Sequence, residues 1–161
     1  MLACIPQWLQ GIVQEGAREA AGADIHERAG ALMVTLTLVP KCPYCQRNAT
    51  ITTGAVIYPA RTELATASFW LCRPCNAWVG CHKGTRKPLG RLANANLRRA
   101  KMATHRAFDP LWQDGNWTRT QAYAWLAEKL GIATEVCHIG MFDLNDCERA
   151  IAACEQERQL A

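Results

Sequence analysis

The chain carries two Cys-x-x-Cys pairs, Cys42–Cys45 and Cys72–Cys75, with 26 residues between them. Two residues between the cysteines allow a tight turn to aim both sulfurs at one ion, and a proline inside each pair helps to fix that turn. Two such turns at the ends of a hairpin complete a tetrahedral shell of four thiolates. The spacing therefore predicts a zinc ribbon that holds one structural Zn²⁺ on Cys42, Cys45, Cys72 and Cys75.

Three other uses of these cysteines compete with this interpretation. The chain has nine cysteines, an odd number, and its first residues do not resemble a secretory signal, so a secreted disulfide framework is disfavoured. A redox Cys-x-x-Cys motif usually occurs once, before a helix in a βαβ pattern that this sequence lacks. Four thiolates also suit iron, and the sequence does not distinguish iron from zinc.

The residues around the cysteine pairs favour strands, and those that follow favour helices. Segments 49–58 and 66–72 are rich in β-branched and aromatic residues and are predicted as strands next to the two pairs. Apolar spacing and capping residues predict later helices, at 90–108, 117–131 and 143–160. Asp109, Thr118 and Asp143 are the expected caps, and Gly131 the expected C-terminal stop.

The predicted fold class is α+β, a small β-rich Cys4 zinc ribbon followed by a helical lobe. An amphipathic helix over 6–22 and a strand over 32–39 are expected before the ribbon. The expected organisation has an N-terminal extension at 1–40, the ribbon at 41–88 and the helical lobe at 89–161. The lobe is expected to pack on the ribbon as one compact unit. The longest apolar stretch is far too short to span a membrane, so a cytoplasmic protein is expected.

Basic and acidic residues are segregated along the chain, although its net charge is only +4. Residues 64–108 carry nine basic and no acidic side chains, whereas residues 109–161 carry four basic and nine acidic ones. In a helix over 90–108 the basic residues fall on one face and small alanines on the other, which predicts a docked helix with its charge outward.

This basic segment predicts a surface for an anionic partner, of which nucleic acid is the commonest. A solvated basic face without a partner is the alternative. The predicted binding residues are Lys83, Arg86, Lys87, Arg91, Arg98, Arg99 and Arg106. Tyr44, Trp70 and Trp78 can either stack on bases or belong to the core.

The remaining cysteines and histidines have no clear ligand spacing. Because the shell of four cysteines already completes the coordination of the zinc ion, Cys81 and His82 are not expected to bind it. A second metal site would have to combine Cys81, His82, His105, Cys137 and His138, and no local spacing supports it. Cys147 and Cys154 lie on an apolar helical face and are expected in the core.

Several long strings of the sequence are similar to a known family. They include "CPYC", "CRPCNAWVGCHKGT", "FDPLW", "AYAWLAEKLGI" and "CHIGMFDLNDCERAI", and they extend over residues 41–152. They resemble the zinc-finger-containing domain of unknown function found in bacteriophage and prophage proteins. The resemblance implies a phage or prophage origin, a bacterial host cytoplasm, and a zinc ion on the four paired cysteines. It implies no particular activity.

Three functions remain open from the sequence. The favoured one is a non-enzymatic protein that binds nucleic acid through residues 83–106. The alternative is a phage factor that binds and inhibits a host protein or nucleoprotein complex, such as a defence system. A nuclease is the third, and its carboxylates, Asp109 and Asp143, are better explained as helix caps.

Overall fold

The computed structural model describes residues 39–115 and 117–160 of the chain. The predicted N-terminal helix over 6–22 lies outside these residues, as do residues 32–38 of the predicted strand. Val39, the last residue of that strand, is exposed and belongs to no strand. The division into an extension, a ribbon and a lobe stays a prediction.

The ribbon contains a three-stranded antiparallel sheet in the order β1 (Thr50–Thr53), β2 (Ser68–Cys72) and β3 (Ala77–Gly80). Thr50 pairs with Leu71 and Cys72 pairs with Ala77, so the second cysteine pair begins where β2 ends. The aromatic and apolar residues of β2 make it the central, most buried strand. With the helices that follow, the sheet gives the predicted α+β fold.

The strand predicted over 49–58 is only partly correct, because it ends at Thr53. Residues Gly54–Ile57 form a single helical turn, α1, instead. The Gly54 amide donates to the carbonyl of Ala67, and a Cβ atom at Gly54 would lie 1.8 Å from the carbonyl oxygen of Leu64. This close approach of the returning chain breaks the strand. The sequence did not predict β3, which is short and ends in glycine.

Four further α-helices follow the sheet: α2 (Ala95–Phe108), α3 (Pro110–Gln113), α4 (Arg119–Leu130) and α5 (Leu144–Leu160). Short 3₁₀ turns lie at Thr62–Leu64, Thr134–Val136 and Ile139–Met141. The helical core includes the fully buried Phe108, Leu126, Ile139, Cys147 and Cys154. The prediction that Cys147 and Cys154 are core residues is confirmed. None of the helices within the described ranges is long and apolar enough to cross a membrane.

Local capping chemistry explains most of the helix ends. The Thr118 side chain and Gln121 form a reciprocal capping box at α4, and Gly131 ends that helix with a left-handed backbone of φ 66°. The Asp143 carboxylate accepts from the Asp146 amide at 3.0 Å at the start of α5. These predicted caps are confirmed.

One predicted helix start is wrong. Helix α2 begins at Ala95 rather than residue 90, because Asn94 caps it by accepting from the Leu97 amide at 3.0 Å. Asp109 follows α2 and occupies the N-cap position of α3, with Pro110 first in the helix, as predicted. Its side chain makes no capping hydrogen bond, however; its carboxylate faces His105 at 3.3 Å.

Residues 88–94 connect the ribbon to the helices. Ala93 pairs with Trp78 of β3, and the Asn94 amide donates to the Tyr44 hydroxyl at 3.2 Å. A Cβ atom at Gly90 would lie 2.2 Å from the carbonyl oxygen of Gly140, so the two backbones touch there. This contact fixes the connecting segment against the turn before α5.

Candidate metal centre

Each cysteine pair lies in a tight turn that closes a hairpin. The first turn lies between the bridged residues Lys41 and Asn48, and the second joins β2 to β3. In both turns the residue after the second cysteine has a left-handed backbone, with φ 60° at Gln46 and 47° at Asn76. Asparagine adopts this conformation readily and glutamine does so less often. The repeated geometry turns both cysteine pairs in the same way.

The two turns bring four sulfur atoms together. The Sγ atoms of Cys42, Cys45, Cys72 and Cys75 all lie within 4.8 Å of one another, and those of Cys45 and Cys72 are 3.5 Å apart. Zn–S bonds of about 2.3 Å in a tetrahedron separate the sulfurs by about 3.8 Å. The arrangement therefore has the size and ligand number of a closed, structural zinc site.

Three of the clustered thiols have shifted pKa values. A hydrogen bond from the Arg47 amide lowers the pKa of Cys45 to about 7. The hydrogen bond between Cys45 and Cys75 raises the pKa of Cys75 to about 12. Burial raises the pKa of Cys72. A bound dication stabilises all four thiolates at once, so the donor set fits Zn²⁺.

An apolar shell surrounds the sulfur cluster. Ala49, Trp70, Ala77 and Leu92 pack around Cys42 and Cys72. Cys81 is buried in the same shell but lies outside the group of four sulfurs. Burial raises the pKa of the Cys81 thiol, which favours its neutral form. These contacts agree with the prediction that Cys81 packs beside the zinc site without binding the ion.

The histidines occupy separate environments. His82 is exposed, the Nδ1 atom of His105 lies 3.3 Å from the Asp109 carboxylate, and the His138 ring stacks on Tyr123 with centroids 5.7 Å apart. In residues 39–115 and 117–160 the four-cysteine cluster is the one group with metal-ligand spacing. The second site considered from the sequence is not formed there by Cys81, His82, His105, Cys137 and His138.

Three predicted binding residues, Lys83, Arg86 and Lys87, lie on one exposed loop, here called the basic loop (82–87). The loop is closed by the bridge between Cys81 and Pro88. Its backbone is tied to the ribbon, because the Trp70 indole N–H donates to the carbonyl of Arg86 at 2.8 Å. The zinc module thus supports the basic loop directly.

The basic residues around α2 do not form the single outward face that the sequence predicted. Arg91 precedes the helix and pairs with Asp143 at 3.6 Å. Lys101 is half-buried and donates to the carbonyl of Gly140. Arg99 and Arg106 are exposed, as expected.

The predicted outward orientation of Arg98 is wrong. Its guanidinium carbon lies 3.3 Å from the centroid of the Trp78 ring. Its Nη1 atom donates to the carbonyls of Ala93 at 2.6 Å and Asn76 at 3.3 Å. The prediction assumed that α2 packs against the protein only through its alanine face. In the structure the ribbon also packs beside the first turn of α2, where Arg98 lies.

One exposed cation in the second cysteine turn (72–76), here called the zinc turn, was missed in the sequence. Arg73 lies between the second pair of cysteines and is exposed. It precedes Lys83, the first lysine of the basic loop, by ten positions, so a search for runs of lysine and arginine does not find it. Its place inside Cys-x-x-Cys is the available signal.

The comparisons with known proteins agree with the geometry of the metal site. The profile of the DUF3268 family, described as a zinc-finger-containing domain, matches residues 38–157. Neither the curated proteins nor the solved structures gave a match. The matched segment covers most of the chain and includes all four clustered cysteines. The chain therefore belongs to this family of zinc-finger-containing domains.

Proposed function

We propose that this zinc-finger domain is a non-enzymatic nucleic-acid-binding module that uses the basic loop and the exposed cations of α2. The observation that carries the proposal is a segment of nine basic and no acidic side chains, residues 64–108, that includes the zinc turn and the basic loop. Such a field attracts phosphate backbones and makes their binding salt-dependent.

The seven predicted binding residues of this segment divide into two groups. The side chains of Lys83, Arg86 and Lys87 are exposed, and no ion pair engages them among the described residues. Arg91 is paired with an acid, and Arg98 is engaged with Trp78. We therefore assign phosphate contacts to the residues with exposed charges, namely Lys83, Arg86, Lys87, Arg99 and Arg106, and a positioning role to Arg91 and Arg98.

The carboxylates that a nuclease would need have other partners. Asp143 caps α5 and pairs with Arg91, and Asp109 faces His105. These contacts support a binding role over a metal-dependent hydrolytic one. The resemblance to phage and prophage proteins further leads us to propose that the module acts in the cytoplasm of a bacterial host.

The test compares two charge reversals of equal size. Arg86→Glu with Lys87→Glu alters the basic loop, and Lys129→Glu with Arg158→Glu alters exposed cations of α4 and α5. Binding of labelled duplex and single-stranded DNA and RNA is measured by fluorescence anisotropy at several salt concentrations. The loop variant should lose about tenfold or more in affinity, and the slope of log affinity against log salt should shrink by about 1.8 for duplex DNA and by about 1.4 for single strands.

The control variant should keep most of the affinity of the parent. Equal losses in both variants would contradict the assignment of the basic loop. If the parent binds no nucleic acid even at low salt, the proposed function is wrong. An acidic groove on a host protein, as expected for an inhibitor of a defence complex, would then be the partner to test.

A further inference from the structure

An open groove of about 250 Å³ lies where α1 faces the second cysteine turn. Its walls come from one helical turn, from the end of β2 and from β3, and its lining residues are Val56, Ile57, Leu71, Arg73, Asn76 and Trp78. The volume lies just below the usual range of ligand sites, so it suits a single planar ring system rather than a larger ligand. Four of the six lining residues are apolar and two, Arg73 and Asn76, are polar.

Both polar groups are available to a ligand. Arg73 is exposed and makes no ion pair with any residue that the structure describes. Asn76 uses its backbone carbonyl to accept from Arg98, which leaves its side-chain amide without a hydrogen bond inside the described ranges. A guanidinium and a carboxamide, both from the second cysteine turn, therefore line the same groove.

The aromatic part of the wall is held rigidly. Arg98 covers the Trp78 ring, and the Trp78 indole N–H donates to the Tyr58 hydroxyl at 3.3 Å. Tyr58 also meets Trp78 edge to face, with ring centroids 6.2 Å apart. A ring that is already fixed loses little conformational entropy when a ligand binds beside it. On the opposite wall Val56 leaves 52% of its surface exposed.

The charge around the groove selects an anionic occupant. The sequence from 64 to 108 supplies no acid, and Glu63, on the turn next to α1, is already paired with Arg61. A planar apolar ring with polar edges, attached to a negative charge, matches the groove better than an acidic peptide. We infer that the groove holds one unpaired nucleobase of a single strand, with Arg73 on the adjacent phosphate and Asn76 on the base edge.

This inference rests on the proposed function and deepens it from nucleic acid in general to single strands. A duplex keeps its bases stacked and paired, so it offers phosphates to the basic loop but no base to the groove. Every base can make contacts with an aromatic ring. The groove should therefore distinguish a base-bearing strand from an abasic strand more strongly than it distinguishes one base from another.

The test uses fluorescein-labelled oligothymidylate and oligouridylate and an abasic strand with the same number of phosphates. Anisotropy titrations of the zinc-loaded chain should show at least about tenfold tighter binding of the base-bearing strands than of the abasic one. The two base-bearing strands also distinguish DNA from RNA as the source of the base.

Two groove variants and one matched control make the test specific. Val56→Glu places a charge on the exposed rim, and Asn76→Gly removes the amide while keeping the left-handed backbone. Val136→Glu adds the same charge at a valine that is 60% exposed on a turn outside the groove. Zinc content and circular dichroism confirm that each variant is folded.

Val56→Glu and Asn76→Gly should reduce the preference for bases over the abasic strand at least threefold, whereas Val136→Glu should preserve it. Equal binding of abasic and base-bearing strands by the parent would overturn the inference, as would equal effects of Val56→Glu and Val136→Glu. Displacement of both strand types by oligoglutamate, as effectively as by oligothymidylate, would also overturn it.

In each of these cases the proposed function stands if the basic-loop reversal still lowers affinity. If no nucleic acid binds at all, both fail.

Discussion

Arg98 joins the first turn of α2 to the zinc turn. Its guanidinium lies over Trp78 and donates to the carbonyl of Asn76, the residue that follows Cys75. Burial lowers the pKa of Arg98, although the side chain still carries its charge at any ordinary pH. The contact couples the position of the helix to the geometry of the metal site.

We expect Arg98→Ala to lower the free energy of unfolding of the zinc-loaded protein by about 1–2 kcal/mol, because it removes the cation–π contact and two hydrogen bonds. The Ala93 carbonyl keeps the Trp78 amide as a second donor, so the Asn76 carbonyl is the acceptor more affected. Arg99→Ala is the matched control, since the exposed Arg99 contacts only the nearby Asn96 side chain at 2.6 Å. The control should change the free energy by less than about 0.5 kcal/mol. Urea unfolding measures both variants, and similar small effects would show that Arg98 has no structural role.

Lys101 is a cation whose charge is disfavoured by the fold. It donates to the carbonyl of Gly140. Its pKa is lowered from the ordinary 10.5 to about 8, and burial is the largest cause. Within that net shift, Cys147 acts to raise the pKa and the charge of Arg91 acts to lower it. Between pH 8 and 10.5 the unfolded chain therefore binds more protons at this residue than the folded chain.

The sign of the resulting pH effect follows from proton linkage. As the pH rises from 8 to 10.5, the parent should gain stability relative to Lys101→Met by at most about 3 kcal/mol. Urea unfolding of both proteins across this range measures the difference, and other titrating groups largely cancel because both proteins contain them. A difference that does not change with pH would contradict the buried position of Lys101.

The caps at the start of α4 and α5 were predictable because their signals are local. Thr118 and Gln121 are three residues apart, and Asp143 and Asp146 have the same spacing, so each cap is contained in four consecutive residues. Strand ends were not predictable in the same way. Strand β1 stops at Thr53 because the chain from Leu64 to Ala67 returns against Gly54, which only the folded chain reveals.

The cap of α4 gives a direct test at the scale of an element. Thr118→Ala removes the side chain that accepts from the Gln121 amide at 3.2 Å, and we expect a loss of about 1 kcal/mol in unfolding free energy. Thr120→Ala changes an exposed threonine two residues later, inside the helix, and should cost less than about 0.5 kcal/mol. Thermal or urea unfolding compares the two variants. Equal effects would mean that the capping box contributes nothing measurable.

At the scale of the whole molecule the metal site was predictable and the basic surface was only partly so. Four cysteines in two spaced pairs carry their geometry in the sequence, because each pair needs only a tight turn. Three basic residues instead contact partners that are distant in the sequence. Arg91 pairs with Asp143, Arg98 lies over Trp78, and Lys101 donates to the carbonyl of Gly140. A projection of one helix contains no information about such partners.

The zinc ion is the central feature on which the ribbon, the basic loop and the groove depend. Structural zinc contributes on the order of 10 kcal/mol to the folding of small modules, so its loss should unfold the ribbon. Cys72 and Cys81 provide a matched pair, because both are buried in the same apolar shell and only Cys72 belongs to the four-sulfur cluster.

Elemental analysis of the freshly purified protein and of these two variants is the most direct measurement. We expect one zinc ion per chain in the parent, full zinc content in Cys81→Ala, and loss of the ion with misfolding in Cys72→Ser. Folded parent protein without metal, or a Cys81→Ala variant that loses its zinc, would contradict the assignment of the site to Cys42, Cys45, Cys72 and Cys75.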